Sequence, residues 1–306
     1  MPFASSRVPE TRHIASDDRA NRIGSAWMVT AMAVFAVEDA LIKAAAKTLP
    51  TAEALMLFGL GGALVFGIWA IATGQRLISA DVLSRTMQLR FLFEVAGRLF
   101  YVLAITLTPL SSATVILQAT PLVVVASAAL VFGEKVGPRR WLAILIGLIG
   151  VVIIIGPGTD SFSALSVLAV IGMLGFAGRD LASRAAPKGL GTAVLGFYGF
   201  VAIIVAGGLY AFWEETVFVT PGASAAVALL GAVLAGVGAY SCLMKAMRTG
   251  EVSAVTPFRY SRLLFGIALG VLFFGESLSV AMIMGSALIV LSGLFILWRG
   301  KQLQQD

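Results

Sequence analysis

Two acid–base pairs with the same spacing lie inside long apolar stretches of this chain. Asp39 is followed four residues later by Lys43, and Asp180 is followed four residues later by Arg184. On a helix this spacing puts both side chains on one face, with the acid first, which is the favourable order. A charge near the bilayer centre costs at least ~2.5 kcal/mol on insertion scales, so such residues are candidates for function by default.

A third group of polar residues lies in the middle of another apolar stretch. Glu94 and Arg98 are again four residues apart, and Tyr101 follows one turn later on the same helix face. An arginine here can bind a substrate carboxylate with two parallel hydrogen bonds, and the tyrosine offers a ring and a hydroxyl. The alternative is a neutral ion pair that fixes helix packing. Arg259 and Tyr260, further along the chain, pose the same choice.

Gln118 lies close to Pro121 in a further apolar stretch. The proline lacks a backbone donor and its ring frees an earlier carbonyl, so we expect a kink with an exposed acceptor here. Pro257 has the same effect near Arg259. A broken helix that faces a cavity commonly contacts substrate, although kinks are also ordinary in transmembrane helices. We therefore count six candidate substrate-binding residues: Glu94, Arg98, Tyr101, Gln118, Arg259 and Tyr260.

Composition identifies the elements that must position these residues. Of the 306 residues, 59% are apolar and 12% are charged, against about 25% charged in soluble domains. The apolar residues come in segments of about 20, the length that spans a bilayer as a helix. The sequence therefore predicts an all-α polytopic membrane protein. Its net charge of +6 reflects basic loops on one side of the membrane, and we expect no nucleic-acid partner.

Several kinds of chemistry are excluded. The chain has one cysteine, Cys242, and one histidine, His13, so a His/Cys metal site is not expected. It contains no G-x-x-x-x-G-K-[ST], G-x-S-x-G or H-E-x-x-H motif. We predict neither an enzyme nor a bound cofactor.

We predict ten spans, and their approximate bounds are 23–45, 52–73, 88–107, 111–133, 141–156, 163–186, 190–213, 223–246, 252–274 and 279–298. Residues 1–22 are expected to form a disordered cytoplasmic tail and residues 299–306 a second cytoplasmic tail. Because the connections are short, we expect consecutive helices to be antiparallel neighbours. Lys and Arg are concentrated in the two tails and in the connections that follow the second, fourth, sixth and eighth spans. We place Arg90 in the connection after the second span. This bias predicts cytoplasmic termini.

The predicted spans form two copies of one unit. Residues 32–45 read MAVFAVEDALIKAA and residues 173–186 read MLGFAGRDLASRAA. The repeats cover residues 23–156 and 163–298, with five spans each. An odd number of spans makes the second copy enter from the opposite side, so the repeat is inverted. Inverted repeats are characteristic of secondary transporters, which hold substrate between the halves near the midplane.

The inverted repeat places the two acid–base pairs towards opposite ends of the molecule. We interpret them as parts of two gates, each of which stabilises one closed end. The alternative is that they are interfacial pairs whose bases reach the lipid headgroups. The residues that we assign to gating or coupling are Glu38, Asp39, Lys43, Arg179, Asp180 and Arg184.

Paired motifs near the end of each repeat point to a family. Phe132-Gly133-Glu134 and Phe274-Gly275-Glu276 each precede a Gly-rich helix. This pattern, in two five-helix repeats, resembles the EamA family of the drug/metabolite transporter superfamily, over about residues 25–298. Within that family the chain is most similar to the YddG-type aromatic amino-acid exporters. Both glutamates lie at helix ends, where we expect a capping or loop role.

The resemblance implies a secondary transporter in the bacterial cytoplasmic membrane. It would export amino acids, aromatic and other apolar ones among them, by alternating access, and we expect a monomer. Protons are a candidate coupling ion, with Glu38, Asp39 and Glu94 as the carboxylates; uncoupled export fits the sequence equally well. The alternatives are a drug or other metabolite exporter of the same family, and a membrane scaffold that does not transport.

Overall fold

The computed structural model describes residues 11–132, 137–155, 164–184, 189–249 and 255–305. Eleven α-helices and one 3-10 helix make up this described part: α1 (Thr11–Ala45), α2 (Thr51–Ala72), α3 (Arg85–Leu107), α4 (Leu110–Leu117), α5 (Thr120–Phe132), α6 (Pro138–Ile155), α7 (Ser166–Arg184), α8 (Thr192–Trp213), α9 (Ala223–Thr249), the 3-10 helix (Thr256–Tyr260), α10 (Ser261–Phe274) and α11 (Val280–Gln305). The Arg184 backbone ends α7, but its side chain, like residue Glu134, lies outside the described part.

The helices confirm the predicted fold class, an all-α polytopic membrane protein. Six stretches within the described residues are long and apolar enough to cross a membrane, and α6 and α11 contain shorter apolar stretches. Large apolar side chains such as Ile68 and Leu264, 67% and 68% exposed, point outwards from the bundle, as expected of lipid-facing positions. The count of ten spans stays a prediction.

The first helix differs from the prediction at its amino end. We expected a disordered tail through residue 22, but α1 is helical from Thr11. Residues 11–22 contain neither glycine nor proline, so nothing in them breaks a helix that the apolar span has already nucleated.

The helices pack chiefly between the two repeats. The most extensive contacts join α1 to α9, α2 to α8, α3 to α7 and α6 to α11, and each pair takes one helix from each half. Several pairs of consecutive helices, which we expected to be neighbours, do touch, but their contacts are much less extensive than those between the repeats. Short connections fix which ends of two helices are close, but the interdigitation of small and large side chains decides which faces pack.

Glycines allow two of these helices to cross closely. A Cβ added at Gly175 on α7 would lie 2.5 Å from the backbone nitrogen of Gly97 on α3, and one at Gly172 would lie 2.8 Å from the backbone nitrogen of Tyr101. The backbones of α3 and α7 are therefore in direct contact. This approach brings the charged side chains of the two helices within reach of each other.

The fourth span is broken where the sequence predicts a kink. Between α4 and α5, the backbone N–H groups of Gln118 and Ala119 donate to carbonyls three residues earlier instead of four. Pro121 cannot donate to the Leu117 carbonyl, and the Thr120 hydroxyl donates to it instead, at 2.5 Å. The side chain next to the proline thus satisfies the acceptor that the proline frees.

The ninth span is irregular at the matching place. Its 3-10 helix runs from Thr256 to Tyr260, and α10 begins at the next residue. Gln118 and Tyr260 are 142 positions apart, the same offset as Ser111 and Ser253 in the repeat. Both halves of the chain therefore lose regular α-helical geometry at symmetry-related positions. We call these two places, Gln118–Ala119 and Thr256–Tyr260, the paired breaks.

Candidate functional site

Glu94 on α3 is the centre of a buried network of charges. Its carboxylate lies 3.2 Å from Arg179 on α7, 3.6 Å from Arg90 and 3.7 Å from Arg98. The glutamate is only 4% exposed. Three guanidinium groups thus share one carboxylate. This arrangement supports the predicted proximity of Glu94 and Arg98, and it adds Arg90 and Arg179 as partners that we did not predict for Glu94.

Arg90 is one of these unexpected partners. We placed it in a cytoplasmic connection, but α3 begins at Arg85, and Arg90 is one turn inside the helix and 5% exposed. Its Nε donates to the Ser183 hydroxyl of α7 at 3.0 Å. The placement in a connection was therefore wrong, since Arg90 lies inside α3 and is buried there. Its spacing of four residues from Glu94 was the signal that could have identified it.

The network continues to the ninth span through Asp180, the counterpart of Asp39 in the second repeat. Arg179 binds the Asp180 carboxylate at 2.8 Å, and Arg259 in the 3-10 helix approaches the other oxygen of Asp180 at 3.7 Å. The Arg259 side chain is 28% exposed, more than the other four arginines of the network. Arg259 is therefore the most weakly held guanidinium of this group.

Asp39, the corresponding aspartate of the first repeat, also binds the ninth span. Asp39 accepts a hydrogen bond from Arg262 at 2.5 Å and another from the Tyr101 hydroxyl at 3.0 Å. Arg262 comes three residues after Arg259, so the two arginines lie about one turn apart. One short segment of the ninth span thus holds both repeated aspartates. Arg262 was not among the predicted site residues.

Glu38 and Arg98 link the first helix to the third. The Arg98 guanidinium donates to Glu38 at 2.9 Å, and Glu38 is completely buried. The second oxygen of Glu38 faces Gly236 on α9, where an added Cβ would lie 3.2 Å away. Among the residues that the structure describes, this oxygen has no hydrogen-bond partner, and neither does Nε of Arg98 or Arg262.

The predicted pairing of Asp39 with Lys43 is wrong. Asp39 binds Arg262 and Tyr101, whereas Lys43 donates to Glu276 at 3.2 Å and to the Thr108 carbonyl at 2.7 Å. Both residues have partners on other helices, and a planar guanidinium satisfies a buried carboxylate better than a lysine does. The companion pairing, Asp180 with Arg184, falls on a side chain outside the described part.

The paired breaks meet in the interior. The Gln118 side-chain amide donates to the Arg259 carbonyl at 3.4 Å, and both Gln118 and Tyr260 are buried. The Tyr260 hydroxyl packs against Gly293 of α11. Within the described part of the chain it has no hydrogen-bond partner. Of the six predicted substrate-binding residues, Gln118, Arg259 and Tyr260 lie together at the breaks, while Glu94, Arg98 and Tyr101 belong to the charged network beside them.

Chemically, this arrangement is suited to binding and not to bond cleavage. The charged groups are guanidinium and carboxylate pairs, and no group of three metal-ligating side chains occurs among the residues that the structure describes. The unpartnered buried oxygen and nitrogen atoms are places where a polar ligand can gain hydrogen bonds.

A family model agrees with the two halves. The model of the EamA-like transporter family matches twice, over residues 22–156 and 164–298. These two matches together cover most of the chain.

Curated relatives are similar over nearly their whole length. The chain is 28% identical to the pseudopaline exporter CntI of Pseudomonas aeruginosa, covering 86% of this chain and 92% of that protein. It is 27% identical to a riboflavin transporter of Vibrio cholerae, over 92% and 96% of the two chains. It is 23% identical to an S-adenosylmethionine uptake transporter of Rickettsia prowazekii, over 91% and 94%.

A solved crystal structure has the same fold. It superposes with a TM-score of 0.60 at 22% identity, over 90% of this chain and 96% of the other. With the duplicated family match and the relatives, this identifies a membrane transporter and not an enzyme. The chain belongs to the EamA-like transporter family.

Proposed function

We propose that this transporter exports amino acids, aromatic and other apolar ones among them, by alternating access. The observation that carries the proposal is the pair of symmetry-related breaks, at Gln118 and at Thr256–Tyr260, which meet through the Gln118–Arg259 hydrogen bond. Discontinuous helices at the interface of inverted repeats form the substrate sites of secondary transporters. The proposed site is the space between these two breaks.

The two breaks differ in charge, and this difference supports the substrate class. The ninth span carries Arg259 and Arg262, whereas the positions 142 residues earlier are Leu117 and Thr120. One side of the site is thus cationic and the other is uncharged. A ligand with a carboxylate at one end and an apolar body at the other fits both sides, and apolar amino acids have this form.

Arg259 is the proposed contact of the substrate carboxylate. Its ion pair with Asp180 is long, at 3.7 Å, so a carboxylate can replace or share this partner at small cost. Gln118 and Tyr260 are proposed to complete the site. Glu94, Arg98 and Tyr101 are proposed to hold the arginines of the network in place, because their polar groups already have partners within the protein.

The orientation and coupling complete the proposal. We propose that the chain lies in the bacterial cytoplasmic membrane as a monomer with cytoplasmic termini. Glu38, Asp39 and Glu94 each have an arginine partner within the protein, and we propose that export is uncoupled.

The test is counterflow of radiolabelled phenylalanine and threonine in proteoliposomes, with and without an imposed proton gradient. We expect saturable flux that needs no gradient. Arg259→Met is expected to raise KM for phenylalanine at least tenfold. Arg90→Met is the matched control, because Arg90 is an arginine of the same network that hydrogen-bonds to Ser183 of α7 and is part of neither break; the KM of this variant should stay within threefold.

Two results would overturn the proposal. One is the absence of amino-acid flux in correctly folded protein; the other is an equal KM for the two arginine variants. The relatives carry pseudopaline, riboflavin and S-adenosylmethionine, which makes export of another small metabolite the second candidate. Competition by riboflavin and S-adenosylmethionine in the same assay separates the two candidates.

A further inference from the structure

A second polar cluster joins the two repeats at the end of the bundle where α1 and α10 terminate. Glu276, two residues beyond α10, accepts hydrogen bonds from the backbone N–H groups of Leu110 and Ser111 at 2.6 and 2.9 Å. The Ser111 hydroxyl donates to it at 2.6 Å, and Lys43 lies 3.2 Å away. Lys43 also donates to the Thr108 carbonyl. We call these five residues the Glu276 clamp.

Glu276 caps a helix that has no cap of its own. The residue before α4 is Pro109, which provides no side-chain hydrogen bond to the free N–H groups of the first turn. The Glu276 carboxylate satisfies two of these groups and also meets the positive end of the helix dipole. The capping role expected from its position is thus confirmed, although the capped helix belongs to the other repeat.

Two glycines direct Glu276 towards α4. Gly275 ends α10 in the left-handed conformation, with φ of 65°, which turns the chain back over the helix. Gly270 leaves room for the carboxylate to cross α10, since an added Cβ there would lie 2.4 Å from Oε2 of Glu276.

The carboxylate is held ionised at this position. Burial acts to raise the pKa of Glu276, but the hydrogen bonds from Ser111 and Leu110 together with Lys43 hold its pKa below the usual range. The charged groups nearby are Lys43 and also Lys47, whose ammonium lies over the Phe274 ring at 5.0 Å. A charge-assisted contact of this kind is strong when closed, and water can replace its partners when it opens.

We propose that the Glu276 clamp is the gate that closes this end of the transporter, and that it must open for substrate to pass. The four bonds that Glu276 accepts all cross between the repeats, and they tie the end of the ninth span to the first and fourth spans. Beneath them, Thr114, one turn deeper on α4, is fully buried against Gly266 of α10. With cytoplasmic termini, this end is periplasmic. The inference goes beyond the proposed substrate, because it requires only that the chain transports.

The test measures access of a small reagent to Thr114. In a Cys242→Ala background, which removes the only native cysteine, Thr114→Cys is a near-isosteric reporter. The labelling rate by a membrane-impermeant methanethiosulfonate is measured in right-side-out and in inverted vesicles. We expect Glu276→Gln to raise the rate at least tenfold, and only from the side on which α1 ends.

A second variant and a control separate opening at the Glu276 clamp from a general loss of helix packing. Lys43→Met removes the ion pair and keeps the cap, so it should raise the rate by a smaller factor, about threefold. Glu53→Gln is the matched control. Glu53 is also buried and accepts a backbone N–H of the other repeat, from Val219 at 2.9 Å, and it lies on α2, outside the Glu276 clamp. The Glu53→Gln variant of the Thr114→Cys reporter should be labelled at the same rate as the reporter itself.

Three outcomes would overturn the gate. The first is an unchanged labelling rate in Glu276→Gln and Lys43→Met proteins that elute as the native form. If Glu276→Gln does not fold, an unchanged labelling rate in Lys43→Met alone also overturns the gate. The second is an equal increase in the Glu53→Gln control. The third is an increase from both sides of the membrane. The assay needs no substrate, so failure of amino-acid flux would leave its result intact.

Discussion

Replacing Glu94 by glutamine tests whether the buried network depends on this one carboxylate. Glutamine keeps the shape of the side chain and removes its charge. Arg90, Arg98 and Arg179 would then share no carboxylate at the centre of the network, where they lie 3.6, 3.7 and 3.2 Å from Glu94. Arg98 and Arg179 keep their ion pairs with Glu38 and Asp180, whereas Arg90 loses its ion pair and keeps its hydrogen bond to the Ser183 hydroxyl.

The size of the effect follows from burial. Each ion pair near 4 Å is worth about 4 kcal/mol at an effective dielectric constant of 20, before repulsion between the arginines and desolvation are subtracted. Removing one partner of a buried pair costs ~3–5 kcal/mol in measured cases, because the other charge is left uncompensated. Glu94 is 4% exposed, so we expect Glu94→Gln to destabilise the folded protein by about 3–5 kcal/mol.

The assay is unfolding of the detergent-solubilised protein, with a double-mutant cycle. Arg90→Gln in the Glu94→Gln background removes the cation whose ion pair with Glu94 is lost, so it should restore part of the stability. We expect a coupling energy of about 1–3 kcal/mol between the two positions. A loss below 1 kcal/mol for Glu94→Gln, or strict additivity in the cycle, would refute the account of the network.

Three further changes have defined outcomes. Gly293→Ala forces the Tyr260 hydroxyl to move, because the new Cβ would overlap it; we expect a loss of about 1–3 kcal/mol of stability and slower transport, measured by unfolding and counterflow. Tyr101→Phe removes the hydrogen bond to Asp39 and should cost about 1.5–3 kcal/mol in the same unfolding assay. For Glu276, the lowered pKa means that its stabilisation is complete above the ordinary glutamate range and is lost as pH falls through the folded-state pKa. Thermal unfolding from pH 7 downwards should therefore show wild type and Glu276→Gln converging below about pH 4.

The spans and their breaks could be predicted because their causes are local. Pro121 and Pro257 lack a backbone donor, and each lies within or beside an irregular segment. The spacing of Glu94 and Arg98 likewise predicts a contact within one helix, which the structure contains. Each of these features depends on residues less than about two helical turns apart.

The partners of the buried charges could not be predicted, because they come from distant parts of the chain. Asp39 is 223 positions from Arg262, and Lys43 is 233 positions from Glu276. The local rule paired Asp39 with Lys43, but in the interior each side chain found a better partner on another helix. The contacts between repeats depend on how closely helices approach, which glycines such as Gly175 determine only in the assembled bundle.

Competition for phenylalanine counterflow tests the central claim most directly, since the claim is that Arg259 at the paired breaks binds a substrate carboxylate. Phenylpropionate keeps the ring and the carboxylate, whereas phenylethylamine keeps the ring and lacks the carboxylate. We expect phenylpropionate to inhibit counterflow in wild-type proteoliposomes and Arg259→Met to abolish this inhibition. Phenylethylamine should have little effect on either protein. Inhibition by phenylethylamine equal to that by phenylpropionate would contradict the claim.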